Sequence, residues 1–246
     1  LKEAIRNGQP ALGLFVKTPS SHLVESLAGS GLGCVVLDAE HAAFGTAELD
    51  HCILAGRSIG LPMLVRLREA TAAAILQVLD MGAAGIIAPH VHSAEQAVDI
   101  VAATRYENGT RGFSGAHRAA VYGAMPADEF KKASDESTIV IAQIEDSLGL
   151  KNVDAIAAVD ALDALLIGRA DLSVSLGAKS IDDDSVVQAV DNILAACRQD
   201  GMSAGIYLPT LDECKGFRTK GVNLFFISTD QALLNDAVSA LARDFK

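Results

Sequence analysis

Thr138-Ile139-Val140-Ile141-Ala142-Gln143-Ile144-Glu145-Asp146 is apolar for most of its length and turns polar at its C-terminal end. It reads as a buried strand, and because side chains alternate between faces, Gln143 and Glu145 share one face while Ile144 takes the other. A helix-like segment follows, Leu148 to Ala158, and then a second apolar run, Ala164-Leu-Leu-Ile-Gly168, which leads into Arg169-Ala-Asp171. Two parallel strands joined by a helix leave their C-terminal ends side by side. The sequence therefore brings two carboxylates, Glu145 and Asp171, within reach of one cation.

The same rhythm extends in both directions. Upstream, short apolar strands are expected at Ala11 to Val16, Cys34 to Asp38, Pro62 to Arg66 and Gly85 to Ala88. Helices are expected from Ser20, a plausible N-cap, to about Ala28, and over Thr46 to Ile59, Thr71 to Met81 and Ser93 to Thr104. A long Gly-bearing loop, Arg105 to Met125, and a short helix, Asp128 to Ala133, precede the opening stretch. Downstream come a helix ending near Gln199, a strand at Ser203 to Ile206, a helix near Leu211 to Thr219, a strand at Leu224 to Ser228 and a last helix, Ala232 to Arg243. Eight strand–helix repeats predict an α/β fold, a (β/α)8 TIM barrel, as a single domain over residues 1–246. The rival, a doubly wound open sheet, would show Gly-x-Gly-x-x-Gly between a strand and a helix; Gly29-Ser-Gly31-Leu-Gly33 has another spacing and precedes a strand.

Composition narrows the function. The 246 residues are 50% hydrophobic, enough for a sizeable core, and 20 basic against 31 acidic side chains give a formal charge of −11. That balance argues against nucleic acid or an anionic membrane as partner. No apolar run reaches the roughly 20 residues that span a bilayer, and Leu1 to Pro10 lacks the pattern of a signal peptide, so a cytoplasmic location is expected. Cys34, Cys52, Cys197 and Cys214 are widely spaced and suggest buried free thiols.

In a barrel of this kind active-site groups gather at the C-terminal strand ends. Those ends carry Asp38, Glu40 and His41, then Arg66, then Gln143 and Glu145, then Asp171. Buried charge is costly unless paired or metal-bound. One reading is a salt-bridge network capping the barrel, with Arg66 pairing Glu145 or Asp171. The other is a hard divalent cation, Mg²⁺ or Mn²⁺, held by two carboxylates, with His41 as general base and Arg66 stabilising an oxyanion or orienting a carboxylate. His90 and His92, in a Pro-His-Val-His turn, read as solvated loop residues, with a ligand role as the alternative.

Leu37-Asp-Ala-Glu-His41, Leu64-Val-Arg66, Leu79-Asp-Met-Gly82, Thr110-Arg-Gly-Phe-Ser114, Arg118-Ala-Ala-Val-Tyr-Gly123, Gln143-Ile-Glu145 and Ile167-Gly-Arg-Ala-Asp-Leu-Ser173 together resemble the HpcH/HpaI aldolase family. The resemblance runs in order from about residue 11 to the C-terminus. It implies a class II pyruvate aldolase similar to 4-hydroxy-2-oxoheptanedioate aldolase, of the kind used in aromatic-compound catabolism. It also implies a homo-oligomer, a hexamer arranged as a trimer of dimers with swapped C-terminal helices. By the same resemblance Glu145 and Asp171 hold Mg²⁺, Mn²⁺ or Co²⁺. His41 is the acid/base residue with Asp80 raising its basicity, Arg66 stabilises the developing enolate, and Gln143, Gly168, Ala170 and Asp171 contact the 2-oxo acid. The implied reaction is aldol cleavage or condensation of 4-hydroxy-2-oxo acids, giving pyruvate or a related 2-oxo acid and an aldehyde.

Two departures from the family pattern stand out. Gly168-Arg-Ala-Asp171 replaces Gly-Pro-Ala/Asn-Asp, leaving Arg169 either to meet an acceptor carboxylate or to lie on the surface. Glu107-Asn108 replaces a proline-rich start of the long loop. Other readings reuse the site: an acyl-CoA lyase, with Arg111, Arg118 and Arg169 as a candidate phosphate groove; a 2-oxo-acid decarboxylase; or a non-catalytic barrel that binds a 2-oxo acid. A Schiff-base aldolase has Lys17 as its one candidate, and Gly112-Phe-Ser114-Gly-Ala116 lacks the last glycine of a serine-hydrolase elbow.

Overall fold

Each of the eight apolar runs becomes a strand: β1 (Ala11–Val16), β2 (Cys34–Asp38), β3 (Met63–Arg66), β4 (Gly85–Ala88), β5 (Ile139–Ile144), β6 (Ala164–Ile167), β7 (Ser203–Leu208) and β8 (Val222–Thr229). In the computed structural model, which describes residues 1–245, these strands pair in parallel and in sequence order, and β8 closes on β1. The expected (β/α)8 barrel is therefore the observed fold. Among the described residues no helix is long and apolar enough to cross a membrane.

The helices follow from their caps. Ser20, Thr71, Ser93 and Thr229 each accept a backbone N–H in the first turn of α2 (Ser21–Ser26), α4 (Ala72–Met81), α5 (Ala94–Thr104) and α12 (Asp230–Asp244), satisfying donors that a helix start leaves free. The others are α1 (Lys2–Arg6), α3 (Thr46–Ser58), α6 (Ala127–Ser137), α7 (Ser147–Lys151), α8 (Val153–Ala157), α9 (Arg169–Ser175), α10 (Asp184–Asp200) and α11 (Cys214–Thr219). The single helix expected over Leu148 to Ala158 is broken at Asn152, whose side-chain amide donates to the His92 carbonyl at 2.6 Å. The long loop holds a 3-10 turn at Arg118–Gly123. Two short helices, α1 and α9, were not expected from the sequence.

Strand parity decides which residues meet. The barrel interior is filled by Ala11 and Phe15 of β1, Cys34 and Val36 of β2, Leu64 of β3, Ile139 and Ile141 of β5, and Ala164 and Leu166 of β6. Between them Val35, Leu37, Val65, Val140, Ala142 and Leu165 face outward into the layer under the helices. Continuing the inward set by steps of two brings Lys17, Asp38, Arg66, Gln143 and Gly168 to the same end of the barrel.

The other end is closed. Ile5 of α1 is fully buried against the interior residues, and its carbonyl accepts from Ser203 Oγ at 2.5 Å and Asn223 Nδ2 at 3.0 Å. Arg6 Nε meets Asp163 Oδ1 at 2.6 Å, and Asp163 Oδ2 also accepts from the Val140 N–H. With Ile5 and its partners closing that end, the barrel axis opens toward the C-terminal strand ends.

Candidate active site at the C-terminal strand ends

A cavity of about 410 Å³ opens at this end, lined by Phe15, Lys17, Asp38, His41 and Arg66 on one side and by Gln143, Leu166 and the Ile167–Asp171 segment on the other. That volume suits a small organic acid rather than a large cofactor. Every catalytic and substrate-binding residue expected from the sequence except Asp80 lines it.

Arg66 is held in place. Its Nε and Nη2 donate to Asp38 Oδ1 and Oδ2 at 3.0 and 2.8 Å, and its guanidinium lies 4.9 Å from the Phe15 ring centroid. Burial works to raise the Asp38 carboxyl, but the Arg66 guanidinium and the His41 N–H outweigh it and hold that carboxyl below the ordinary aspartate value. The forked pair fixes the plane of the guanidinium as an isolated cation could not. The pairing of Arg66 with Glu145 or Asp171 that the salt-bridge reading anticipates is not what forms.

Glu145 is consequently left without Arg66. It is 2% exposed, and no lysine or arginine among the described residues makes an ion pair with it. Oε2 accepts from Gln143 Nε2, while Oε1 accepts from the His90 backbone N–H at 2.7 Å. Burial, the largest influence, pushes the Glu145 carboxyl up from its ordinary value. Two further buried oxygens nearby, Gln143 Oε1 and Glu40 Oε2, have no hydrogen-bond donor. Buried acceptors without donors around a carboxylate are what a cation would satisfy. The donor set is oxygen-rich and fits a hard divalent ion, with Asp171, half-buried at the start of α9, on the wall of the same cavity.

Gly168 makes the approach possible. A Cβ built there would stand 2.7 Å from Glu145 Cβ, 3.2 Å from its Oε2 and 3.4 Å from Gln143 Nε2. Gly168→Ala is therefore expected to displace the Glu145 carboxylate and weaken divalent-cation binding by roughly tenfold or more, with the fold retained. Titration of the metal-free variant checks this, and unchanged affinity would mean that Glu145 is free to shift without cost.

His41 lines the cavity half-exposed, and Glu40 Oε2, at 3.7 Å from its Nε2, is the one carboxylate within 4.0 Å of it among the described residues. Asp80 lies in the last turn of α4, the helix that returns from the cavity end to the start of β4, and there it accepts from Arg111 Nη2 at 2.9 Å and lies 3.5 Å from His117 Nε2. Among the described residues of this chain it does not line the cavity and makes no ion pair with His41.

The arginines of the candidate phosphate groove are likewise accounted for. Arg111 pairs with Asp80, Arg118 with Asp50 at 2.5 and 2.8 Å, and Arg169 with Glu213 at 2.7 and 2.9 Å. Arg169 is 7% exposed, so it is neither a surface residue nor an unpaired cation. His90 lies, as expected, in an exposed turn, where it adopts a positive φ of 52°, and its imidazole stands between Glu145 and Glu40. The clue in the sequence was its place two residues after β4, the same offset that carries Glu40 after β2.

Comparison with known proteins agrees with this geometry. Residues 11–237 match the family described as HpcH/HpaI aldolase/citrate lyase. The 2-keto-3-deoxy-L-rhamnonate aldolase of Salmonella dublin is 34% identical over 254 residues, covering 100% of this chain and 92% of that protein. The protein of that name from Salmonella gallinarum is 37% identical over 174 residues, 70% of this chain and 64% of its own length. Among solved structures, an HpcH/HpaI aldolase/citrate lyase family protein from Burkholderia cenocepacia J2315 superposes with a TM-score of 0.94 at 28% identity, covering 99% of this chain and 98% of that one. The citrate synthase SbnG superposes with a TM-score of 0.89 at 32% identity, covering 99% and 96%.

Proposed function

Because the chain belongs to the HpcH/HpaI aldolase/citrate lyase family, we propose that it is a carbon–carbon lyase, a divalent-metal-dependent aldolase that cleaves 4-hydroxy-2-oxo acids to a 2-oxo acid such as pyruvate and an aldehyde, and runs the condensation in reverse. The observation that carries this reading is the buried Glu145, which no lysine or arginine among the described residues pairs with, beside a cavity in which Asp38 already orients the Arg66 guanidinium.

Glu145 and Asp171 would hold the cation, which when bound supplies Lewis-acid stabilisation for negative charge on the 2-oxo group. Gln143 and the backbone of Gly168 and Ala170 orient the acid against the cavity wall. Arg66, fixed by Asp38, presents N–H groups to the oxygen on which charge develops as the C3–C4 bond breaks. His41 removes the proton from the 4-hydroxyl, directly or through a water. Arg66→Lys keeps the charge but loses the fork to Asp38, so kcat is expected to fall by about 10²-fold with KM less affected; a rate within twofold of the parent protein would remove Arg66 from charge stabilisation.

The acyl-CoA lyase alternative loses support because all three arginines it would recruit for phosphate are paired with carboxylates. A homo-oligomer, in the hexameric arrangement expected from the sequence, remains part of the proposal, supported by the exposed apolar side chains Leu233, Leu234, Val238 and Leu241 on α12. So does a cytoplasmic location. The experiment for the activity is incubation with 2-keto-3-deoxy-L-rhamnonate and simpler 4-hydroxy-2-oxo acids, with detection of the 2-oxo acid. Release supports the aldolase; binding without release favours the non-catalytic barrel, and carbon dioxide from a 2-oxo acid favours the decarboxylase.

A further inference from the structure

Arg169 places a positive charge at the first position of α9, two residues before Asp171 and on the lining of the same cavity. It is 7% exposed, and its charge is answered from another loop: Nη1 and Nη2 donate to Glu213 Oε2 and Oε1 at 2.7 and 2.9 Å. Glu213 immediately precedes α11, and the Arg169 Cζ lies 5.2 Å from the ring centroid of Phe217 in that helix. The forked pair and the aromatic ring together commit the guanidinium to α11.

Asp171 shows the other side of the arrangement. Two carboxylates line the cavity, and Arg66 takes one of them, Asp38. Among the described residues the side chain of the other, Asp171, makes no hydrogen bond and no ion pair, although a buried arginine stands two residues away. A guanidinium matches a carboxylate with two parallel N–H bonds, and a buried one that loses its partner must find another. Arg169 already has a donor to spare, because its Nε is buried with no acceptor. Released from Glu213, it would have Asp171 as the unpaired carboxylate of its own cavity wall.

We propose that Glu213 is a positioning residue for the cation site: by holding Arg169 in the fork it keeps the guanidinium off Asp171, so that this carboxylate stays open to a divalent ion. The inference rests on the reading that Asp171 is a metal ligand. It makes the need for Glu213 conditional on Arg169, since with no cation at position 169 there is nothing for Glu213 to restrain.

The test is calorimetric titration of metal-free protein with Mg²⁺, Mn²⁺ and Co²⁺, for the parent protein, Glu213→Gln, Arg169→Met and the double variant Glu213→Gln/Arg169→Met. Salt at about 1 M, where the Debye length is about 3 Å, screens the field of the partly exposed Glu213, so a loss of affinity reports the re-pairing of Arg169. Glutamine keeps the shape of the side chain but offers one acceptor in place of two and no charge. The expected result is a fall in cation affinity of roughly tenfold or more in Glu213→Gln, with affinity in the double variant back to within about threefold of the parent. Arg169→Pro repeats the rescue if methionine disturbs the start of α9, because the first position of a helix accepts proline. Parent-like affinity in Glu213→Gln would overturn the inference and leave the cation at Asp171 untouched. A double variant as weak as Glu213→Gln, with either residue at position 169, would also overturn it, since the loss would then not pass through the arginine. Absence of binding by the parent for all three cations would remove the cation reading and this inference with it.

Discussion

Glu145→Gln, which keeps the shape of the side chain and removes its charge, is expected to reduce turnover by about 10³-fold or more, and Asp171→Ala by a similar factor. Lewis-acid stabilisation is worth several kcal/mol of transition-state charge, and each 1.36 kcal/mol is a factor of ten. Among the described residues no lysine or arginine pairs with Glu145: it meets the Gln143 amide, the His90 backbone N–H and the half-exposed His90 imidazole, while Arg66 is committed to Asp38. Loss of the carboxylate should therefore remove cation binding and activity together, while near-ultraviolet circular dichroism stays that of the parent. Activity within tenfold of the parent, still sensitive to chelation, would move the cation to other ligands.

His41→Ala is expected to slow cleavage by a factor of roughly 10²–10⁴, the usual cost of losing a general acid or base. The residue is well placed for proton transfer because it sits on the cavity wall with its backbone tied to Asp38 Oδ1 at 3.2 Å and its ring free to turn. KM for the 2-oxo acid should change little, since the groups that orient the acid are on the opposite wall. An unchanged kcat would assign the proton transfer to water alone. Among the described residues Glu40 is the one carboxylate within 4.0 Å of this imidazole, so Glu40→Gln provides a companion variant whose pH–rate profile reports on that contact.

Much of this site could be read from strand parity. Gln143 and Glu145 on one face of β5, Arg66 ending β3 and Gly168 ending β6 are consequences of period-two alternation in a closed parallel barrel, and they fall where that alternation puts them. What escaped the sequence depends on pairings across many residues. Arg169 finds Glu213, 44 positions away, and so becomes a buried strut beside the cavity. Asp80, which the family resemblance pairs with His41, within this chain accepts instead from Arg111, 31 positions away. The position of His90 against Glu145 and Glu40 goes with a positive φ after Pro89, a backbone angle that the residue pattern does not show.

The central claim is that a cation at Glu145 and Asp171 drives carbon–carbon cleavage. Pyruvate release from a 4-hydroxy-2-oxo acid, measured in EDTA and again with Mg²⁺, Mn²⁺ or Co²⁺ restored, tests it most directly. Release that stops in EDTA and returns with the metal is the predicted result. Release that persists in EDTA and is trapped by borohydride on Lys17, whose ammonium lines the same cavity, would contradict it and make the protein a Schiff-base enzyme.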